Sequence, residues 1–204
     1  HLKNKITVIL GKNGTGKSTL CRILARSLTN IKLSSNGCFQ SPPMTRTLMC
    51  EQSPLLFESK SVLYNIAYGT DDIYDDRFLQ NTEHYREVAK HLEMDQLLES
   101  TCSKLSGGER QKTCLLRAYL SCIQKKKPVD LLLLDEWDSH LDVESRQRGF
   151  CLIQKIMETT GCAVVWVSHN YIPELASSAR AVILESNQVI EGDYADIWNL
   201  HLKN

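Results

Sequence analysis

The chain has 204 residues, of which 42% are hydrophobic, so it is long enough for one domain with a substantial core and too short for two full domains. Its 24 basic and 24 acidic side chains cancel, and this balance favours neither a nucleic-acid surface nor direct docking on anionic lipid. The 8 cysteines are scattered without metal-ligand spacing, which is typical of a reducing compartment. No apolar run approaches the roughly 20 residues that cross a bilayer, and no signal-peptide pattern is present. We therefore expect any membrane contact to be made through another chain or segment.

The first predicted element is a buried strand, Ile6–Leu10, that leads into a glycine-rich loop. The loop matches the pattern G-x-x-x-x-G-K-[ST] at every fixed position, and apolar residues recur at helical spacing after it. Glycines let successive backbone N–H groups face phosphate oxygens, and the helix start adds its positive end. We expect Lys17 to meet the β- and γ-phosphates of a nucleotide and Ser18 to ligate Mg²⁺. The predicted phosphate-binding residues are Gly11, Asn13, Gly14, Thr15, Gly16, Lys17, Ser18 and Thr19.

The segment from about residue 61 to 104 differs from the rest of the chain. It is polar, and its apolar residues recur at helical spacing. We interpret it as a helical subdomain inserted into a core made of residues of about 1–60 and 105–204. The whole chain, residues 1–204, is then one domain.

Two further apolar runs, Leu131–Leu134 and Ala163–Val167, lack the alternation of a half-exposed strand. Together with Ile6–Leu10 they are typical of the central strands of a parallel sheet, and the helical stretches between them predict an α/β fold. Near the end of the chain, Ala181–Leu184 and Gln188–Ile190 flank a polar turn and predict a hairpin.

The strand Leu131–Leu134 ends on two carboxylates, Asp135 and Glu136. Ligands of open α/β sheets bind at the carboxyl ends of the strands, so both side chains are candidates for the site. Asp135 fits a Mg²⁺ role, and Glu136 is then placed to polarise a water for attack on the γ-phosphate. A strand that merely leaves the core is the alternative for this pair taken alone.

The segment Leu105–Lys112 resembles the LSGGQ signature of the ABC ATPases, with Glu109 in place of glutamine. Ser106 and the two glycines precede an apolar-periodic helix, which predicts a helix start with bare N–H groups and hence a second phosphate site. The resemblance implies that Ser106, Gly107 and Gly108 cap the γ-phosphate bound by another protomer, so that a head-to-tail dimer with a second ABC cassette assembles each site.

Other positions of the chain resemble further ABC motifs in the family's order. Gln52 matches the Q-loop glutamine, which the resemblance implies contacts the metal and the attacking water and senses a membrane partner. Ser139–Asp142 resembles the D-loop, which crosses to the opposite protomer. His169 resembles the switch histidine that touches the γ-phosphate. The resemblance thus implies catalytic roles for Glu136, His169, Gln52 and Lys17, and a Mg²⁺ site formed by Ser18, Gln52 and Asp135.

The chain also departs from the ABC pattern. It begins ten residues before Gly11, so we expect the aromatic residue that stacks on adenine to be missing, and the antiparallel β-subdomain to be truncated. Trp137 and His140 replace smaller residues of the family, and we expect their bulk to perturb dimer closure.

Large apolar residues follow the Q-loop glutamine. Leu55, Leu56 and Phe57, together with Tyr64 and Tyr68, predict a groove for a short helix of a transmembrane chain. The alternative is that these side chains form the core of the subdomain.

Two segments give opposite indications of transport direction. Ser61–Gly69 resembles the region after the Q-loop in exporters, whereas Glu99–Lys104 does not resemble the loop that exporters carry before the signature. Import and export both stay open.

The resemblance implies an ATP-hydrolysing cassette that dimerises on ATP and powers a transmembrane transporter from the cytoplasmic face of a membrane, with ATP and Mg²⁺ as ligands and no nucleic-acid partner. A soluble ABC ATPase acting on ribosomes or DNA is one alternative, which the lack of a coiled-coil insertion or basic tail disfavours. A catalytically weak nucleotide-binding module is another, which the presence of Lys17, Asp135, Glu136 and His169 disfavours.

Overall fold

The computed structural model describes residues 6–25, 46–70, 81–124, 129–184 and 189–202, and a six-stranded sheet organises them in the order β2-β3-β4-β1-β5-β6. All neighbouring strands are parallel except β5 and β6. The strands are β1 (Ile6–Leu10), β2 (Thr47–Cys50), β3 (Leu131–Asp135), β4 (Ala163–Val167), β5 (Arg180–Leu184) and β6 (Val189–Asp193).

The predicted α/β fold with a mainly parallel sheet is confirmed. The three apolar runs form the adjacent strands β3, β4 and β1, with Val8 opposite Trp166 and Leu132 opposite Val164. The antiparallel pair β5 and β6 matches the predicted hairpin, whose turn lies outside the described residues. Strand β2 is not predicted by the sequence, because its apolar run of three residues is too short to indicate a strand; among the described strands it pairs with β3 alone.

Six α-helices are present in the described part of the chain. They are α1 (Lys17–Leu24), α2 (Val62–Ala67), α3 (Thr82–Lys90), α4 (Gly107–Gln124), α5 (Val143–Thr160) and α6 (Tyr194–His201). Local signals set several of the ends. The Ser61 side chain accepts a hydrogen bond from Tyr64 N at the start of α2, and the Asp142 side chain accepts one from Ser145 N at the start of α5. Helices α2 and α3 lie between β2 and α4, and their grouping into a separate subdomain stays a prediction.

Trp137 lies in the core next to the helices α4 and α5. It is fully buried, its Nε1 donates to the carbonyl of Gln111 at 2.9 Å, and its ring meets Trp166 edge to face at 6.1 Å. The expectation that the bulk of Trp137 disturbs a dimer surface is therefore wrong, because the side chain points into the core. Gly149 in α5 has no side chain, and this leaves room for the Trp137 ring.

Substitution of Gly149 by alanine is expected to destabilise the fold by about 1–3 kcal/mol, because it overpacks the core. A Cβ at this position would lie 1.9 Å from the Trp137 ring. Urea unfolding of Gly149→Ala measures the change, and Gln147→Ala on the exposed side of the same helix is the matched control. If Gly149→Ala were as stable as the control, or if Trp137→Leu did not restore part of the loss in the double variant, the packing explanation would fail.

The described cysteines are all free; six of these seven are buried, and Cys151 is exposed. Within the described ranges, no helix combines the length and the apolar character that a membrane span requires.

Candidate functional site

The glycine-rich loop joins β1 to α1 at the carboxyl edge of the sheet. Gly14 and Gly16 have φ angles of 82° and 94°, in the left-handed region that favours glycine. Gly16 is the N-cap of α1, and it has no side chain to accept from the first-turn N–H groups, which leaves them available to an anion. Gly11 is required for packing as well, because a Cβ there would lie 2.5 Å from the Leu184 carbonyl oxygen.

Lys17 is the first residue of α1, and its side chain folds back over the loop. It is 5% exposed, and Nζ donates to the carbonyls of Gly11 and Lys12, both at 2.9 Å. Burial lowers the pKa of Lys17, and the negative charges of Glu136 and Asp135 act in the opposite direction. The ammonium group thus lies in a partly desolvated position where the nearby carboxylates favour its charge.

Ser18 and Asp135 meet where α1 starts and β3 ends. The Ser18 hydroxyl donates to Asp135 Oδ1 at 3.0 Å. Burial raises the pKa of the Asp135 carboxyl, the Ser18 hydrogen bond opposes this, and the charge of Glu136 raises it further. The pair supplies a hydroxyl and a carboxylate oxygen at one partly buried point.

Glu136 follows β3 and is held by residues from two other parts of the sheet edge. Its Oε2 accepts from Gln52 Nε2 at 2.8 Å, and its Oε1 lies 2.9 Å from His169 Nε2. Its φ of 49° is uncommon for a residue with a side chain. The three side chains meet because Gln52 follows β2 and His169 follows β4, the two parallel neighbours of β3.

A cleft of about 360 Å³ connects these groups, a volume within the range of small-molecule sites. Its lining residues are Asn13, Gly14, Gly16, Lys17, Ser18, Thr19, Gln52 and Glu136. Every one of them is a predicted site residue. Two further predicted site residues contact the lining residues. Asp135 accepts a hydrogen bond from Ser18, and His169 contacts Glu136.

The residues Ser106, Gly107 and Gly108 lie at the start of α4 and do not line this cleft. Ser106 and Glu109 form a capping box, in which Ser106 N donates to Glu109 Oε2 at 2.7 Å and Glu109 N donates to Ser106 Oγ at 3.4 Å. The expectation of bare N–H groups is wrong for these two residues, because the Glu109 carboxylate occupies one and the Ser106 hydroxyl the other.

A family model described as ABC transporter matches residues 2–139. The chain belongs to the ABC transporter family. It is 30% identical to the sn-glycerol-3-phosphate import ATP-binding protein UgpC of Jannaschia sp. (strain CCS1), over 91% of this chain and 52% of that protein. It is also 30% identical to the aliphatic sulfonates import ATP-binding protein SsuB of Granulibacter bethesdensis, over 91% of this chain and 70% of that protein.

The fold agrees with solved ABC proteins. A bacterial Atm1-family ABC exporter with ATP bound superimposes with a TM-score of 0.74 at 22% identity, over 98% of this chain and 36% of that chain. At this level of identity the likeness concerns the fold alone, and the match over residues 2–139 shows the family to which the chain belongs. The chain spans about half of the length of the UgpC relative, 52% of which it covers.

The ABC domain contains a buried amide, Gln111, for which the sequence gives no signal beyond its place in a helix. Gln111 Nε2 donates to Ser139 Oγ at 3.0 Å and lies 3.0 Å from His140 Nδ1. The His140 ring lies against Gly107, where an added Cβ would come within 3.2 Å of it. Gln111 thereby joins the D-loop to the signature helix of the same chain. The effect of His140 on dimer closure stays a prediction.

The sequence also gives no signal for Asp138. Its buried carboxylate accepts hydrogen bonds from Ser168 and Asn170, the two neighbours of His169. Ser168 lies 30 positions after Asp138 in the sequence, and Asn170 lies 32 positions after it.

Proposed function

We propose that this ABC domain binds and hydrolyses ATP and that the hydrolysis drives transport by a transmembrane subunit or domain, from the cytoplasmic face of a membrane. The observation that carries the proposal is the Glu136 carboxylate, which contacts Gln52 and His169 beside a cleft formed by the glycine-rich loop. The relatives' names indicate import, and the exporter shares the fold alone, so the proposal is ATP-driven transport without a stated direction.

Nucleotide binding is assigned to the loop and to Lys17. Backbone N–H groups from Gly14 to Thr19 donate hydrogen bonds to the phosphate oxygens at the start of α1, and the Lys17 ammonium moves from the loop carbonyls to the β- and γ-phosphates. A positive charge at this point stabilises the negative charge that phosphoryl transfer spreads over the γ-phosphate oxygens.

The site also fits a magnesium ion. Hydroxyl, carboxylate and amide oxygens are hard ligands that suit Mg²⁺, and Ser18 and Asp135 already lie 3.0 Å apart. We assign the ion to Ser18 and Asp135, with Gln52 as a third ligand. When bound, it supplies charge neutralisation at the phosphates.

Glu136 is proposed as the general base that polarises the attacking water. The Gln52 amide and the His169 ring each contact one of its two oxygens, so the carboxylate has a fixed orientation. His169 is proposed to contact the γ-phosphate as well. Positioned groups of this kind supply most of the catalysis in phosphoryl transfer, since little covalent chemistry is needed.

Each nucleotide site is proposed to be completed by a second ABC cassette, in a homodimer or heterodimer. Ser106, Gly107 and Gly108 begin a helix of 18 residues, and they do not line the cleft of their own chain. The capping box uses the N–H groups of Ser106 and Glu109, so the N–H groups of Gly107 and Gly108 are the ones assigned to an anion presented by another molecule. Head-to-tail pairing would bring them to the γ-phosphate of the partner.

A surface patch, made of Leu55, Phe57, Tyr64 and Tyr68, is proposed as the contact with the transmembrane partner. Leu55 is 80% exposed and Phe57 is 40% exposed. The Phe57 ring lies 5.7 Å from Tyr64 and 4.7 Å from Tyr68, both edge to face, so the patch is preorganised. Leu56 instead packs against the core. We place this patch on the helical subdomain of residues about 61–104 and the Q-loop region before it.

Loss of Phe57 or Tyr64 is expected to lower assembly with the transmembrane partner by about 10-fold and to leave ATP binding unchanged, because aromatic anchors carry much of the energy of an interface. Copurification of the partner with Phe57→Ala or Tyr64→Ala, beside isothermal calorimetry with ATP, tests this. The matched control is Leu202→Ala, which removes an exposed leucine elsewhere on the surface.

Crosslinking from position 57 identifies what the patch contacts. Capture of a transmembrane chain supports the proposed transport function. Consistent capture of ribosomal or DNA-associated proteins, or equal assembly of Phe57→Ala and Leu202→Ala, would overturn it.

A further inference from the structure

The carboxylate of Asp138 lies between the strand β4 and the loop that carries His169. It is 2% exposed, its Oδ1 accepts from Trp166 Nε1 at 3.2 Å, and its Oδ2 accepts from Ser168 Oγ at 2.9 Å. Oδ2 also accepts from Asn170 Nδ2 at 3.2 Å, and Arg146 Nη1 lies 3.9 Å away. Several donors and one cation thus surround a buried negative charge, which is the condition under which such a charge is tolerated.

The residues on both sides of His169 in this loop bind the Asp138 carboxylate. Ser168 and Asn170 each donate a side-chain hydrogen bond to Oδ2, and Asn170 N donates to Ser168 Oγ at 3.0 Å. His169 itself makes no bond to Asp138; its ring points to Glu136, with Nε2 2.9 Å from Oε1. The side chains before and after His169 are therefore both bonded to one atom, which restrains the backbone from which the His169 ring reaches Glu136.

We propose that Asp138 is a positioning residue that holds His169 in the orientation from which it contacts Glu136. This proposal rests on the proposed role of His169 in ATP hydrolysis. Asp138 is three residues from the end of β3 and thereby couples the segment that carries Glu136 to the segment that carries His169.

Only a carboxylate satisfies all the donors that converge here. Asparagine has one acceptor oxygen and one donor group, so one of the two sides would face another donor. If its oxygen faced Ser168 and Asn170, its NH₂ would meet the Trp166 indole N–H; in the opposite orientation it would meet the Asn170 amide. Asp138→Asn therefore preserves side-chain size, but it sets an NH₂ group against a donor in either orientation and removes the negative charge that the loop donors and Arg146 face, which loosens the loop.

The test compares steady-state ATP hydrolysis of the full-length protein with Asp138→Asn, His169→Ala and the double variant. We expect Asp138→Asn to lower kcat about 10- to 100-fold with KM for ATP within about twofold, because a displaced catalytic group costs rate rather than ground-state binding. In the His169→Ala background Asp138→Asn should cause no further loss of kcat, since it acts through His169. A further loss of similar size would overturn the proposal.

Trp166→Phe is the matched control, because it removes the hydrogen bond to the other oxygen, Oδ1, and leaves the loop contacts intact. It should lower the melting temperature and retain kcat within about twofold. An equal fall of kcat in Trp166→Phe and Asp138→Asn would mean that Asp138 is merely structural.

Asn170→Ala provides a second test that does not bury an unpaired group, in case Asp138→Asn fails to fold. It should lower kcat about 3- to 10-fold with unchanged KM, and this loss should also vanish in the His169→Ala background. If His169→Ala alone left kcat unchanged, the role of His169 in the proposed function would fail, and the positioning role with it. If His169→Ala lowered kcat but neither Asp138→Asn nor Asn170→Ala did, the positioning role alone would fail.

Discussion

Substitution of Glu136 by glutamine is expected to lower the ATP turnover number by about 10²–10⁴-fold and to leave ATP binding nearly unchanged. Glutamine keeps the size of the side chain and one acceptor oxygen, but it cannot accept a proton from the attacking water. The amide also changes the pair of contacts with Gln52 and His169, which lie 2.8 and 2.9 Å from the two carboxylate oxygens. Single-turnover hydrolysis and equilibrium ATP binding by the same preparation measure both quantities.

Glu158→Gln is the control for this experiment, since it makes the same chemical change on the exposed face of α5. Its turnover should stay within about twofold of the unmodified protein. Turnover of Glu136→Gln equal to that of Glu158→Gln would remove Glu136 from the mechanism.

Lys17→Ala and Ser106→Arg are both expected to abolish most ATP hydrolysis, but at different steps. Lys17→Ala removes the ammonium that lies at the cleft and should weaken ATP binding by a single chain at least about 10-fold. Ser106→Arg adds bulk at the start of α4, away from that cleft, and should leave binding by a single chain intact while preventing dimer formation. Binding is measured at low protein concentration, and dimer formation by sedimentation with ATP.

Lys12→Ala is the matched control for Lys17→Ala, because it removes a lysine of the same loop whose side chain does not line the cleft. Its ATP affinity should stay within a few-fold of the unmodified protein. Equal loss of single-chain ATP binding in Lys17→Ala and Ser106→Arg would contradict a site divided between two chains.

The central sheet is predictable from the sequence because its strands are buried on both faces. Continuous apolar runs such as Leu131–Leu134 and Ala163–Val167 occur where helices cover a parallel sheet, and the structure confirms both. Strand β2 carries no such signal. It lies at the edge, where one partner, β3, is enough to form it, and pairing across the sheet cannot be inferred from four residues.

The cleft is predictable for a different reason. The loop residues from Asn13 to Thr19 are contiguous, so one local pattern contains everything that the loop contributes to the cleft. Gln52 and His169 are far apart in sequence, and they meet Glu136 only because β2, β3 and β4 are neighbours. Their agreement with a known order of motifs identifies them, whereas spacing alone does not.

The buried polar contacts are not predictable from one sequence. In the sequence, Gln111 is an ordinary residue of a helix and Asp138 is an ordinary residue of a loop. The side chains to which they hydrogen-bond are contributed by other elements. The position of Trp137 likewise depends on Gly149, a glycine within a helix that a propensity argument would count only as unfavourable. Long-range complementarity decides these cases, and it becomes visible only in three dimensions.

The division of each ATP site between two chains is the central claim, and mixing two inactive variants tests it most directly. In a head-to-tail dimer of Lys17→Ala with Ser106→Arg, one site carries both defects and the other carries neither. Coexpression of the two full-length variants with different tags should restore hydrolysis, because each mixed dimer has one intact site; random pairing, which makes half of the dimers mixed, gives about a quarter of the unmodified rate. A mixture as inactive as either variant alone would contradict a site shared by two copies of this chain.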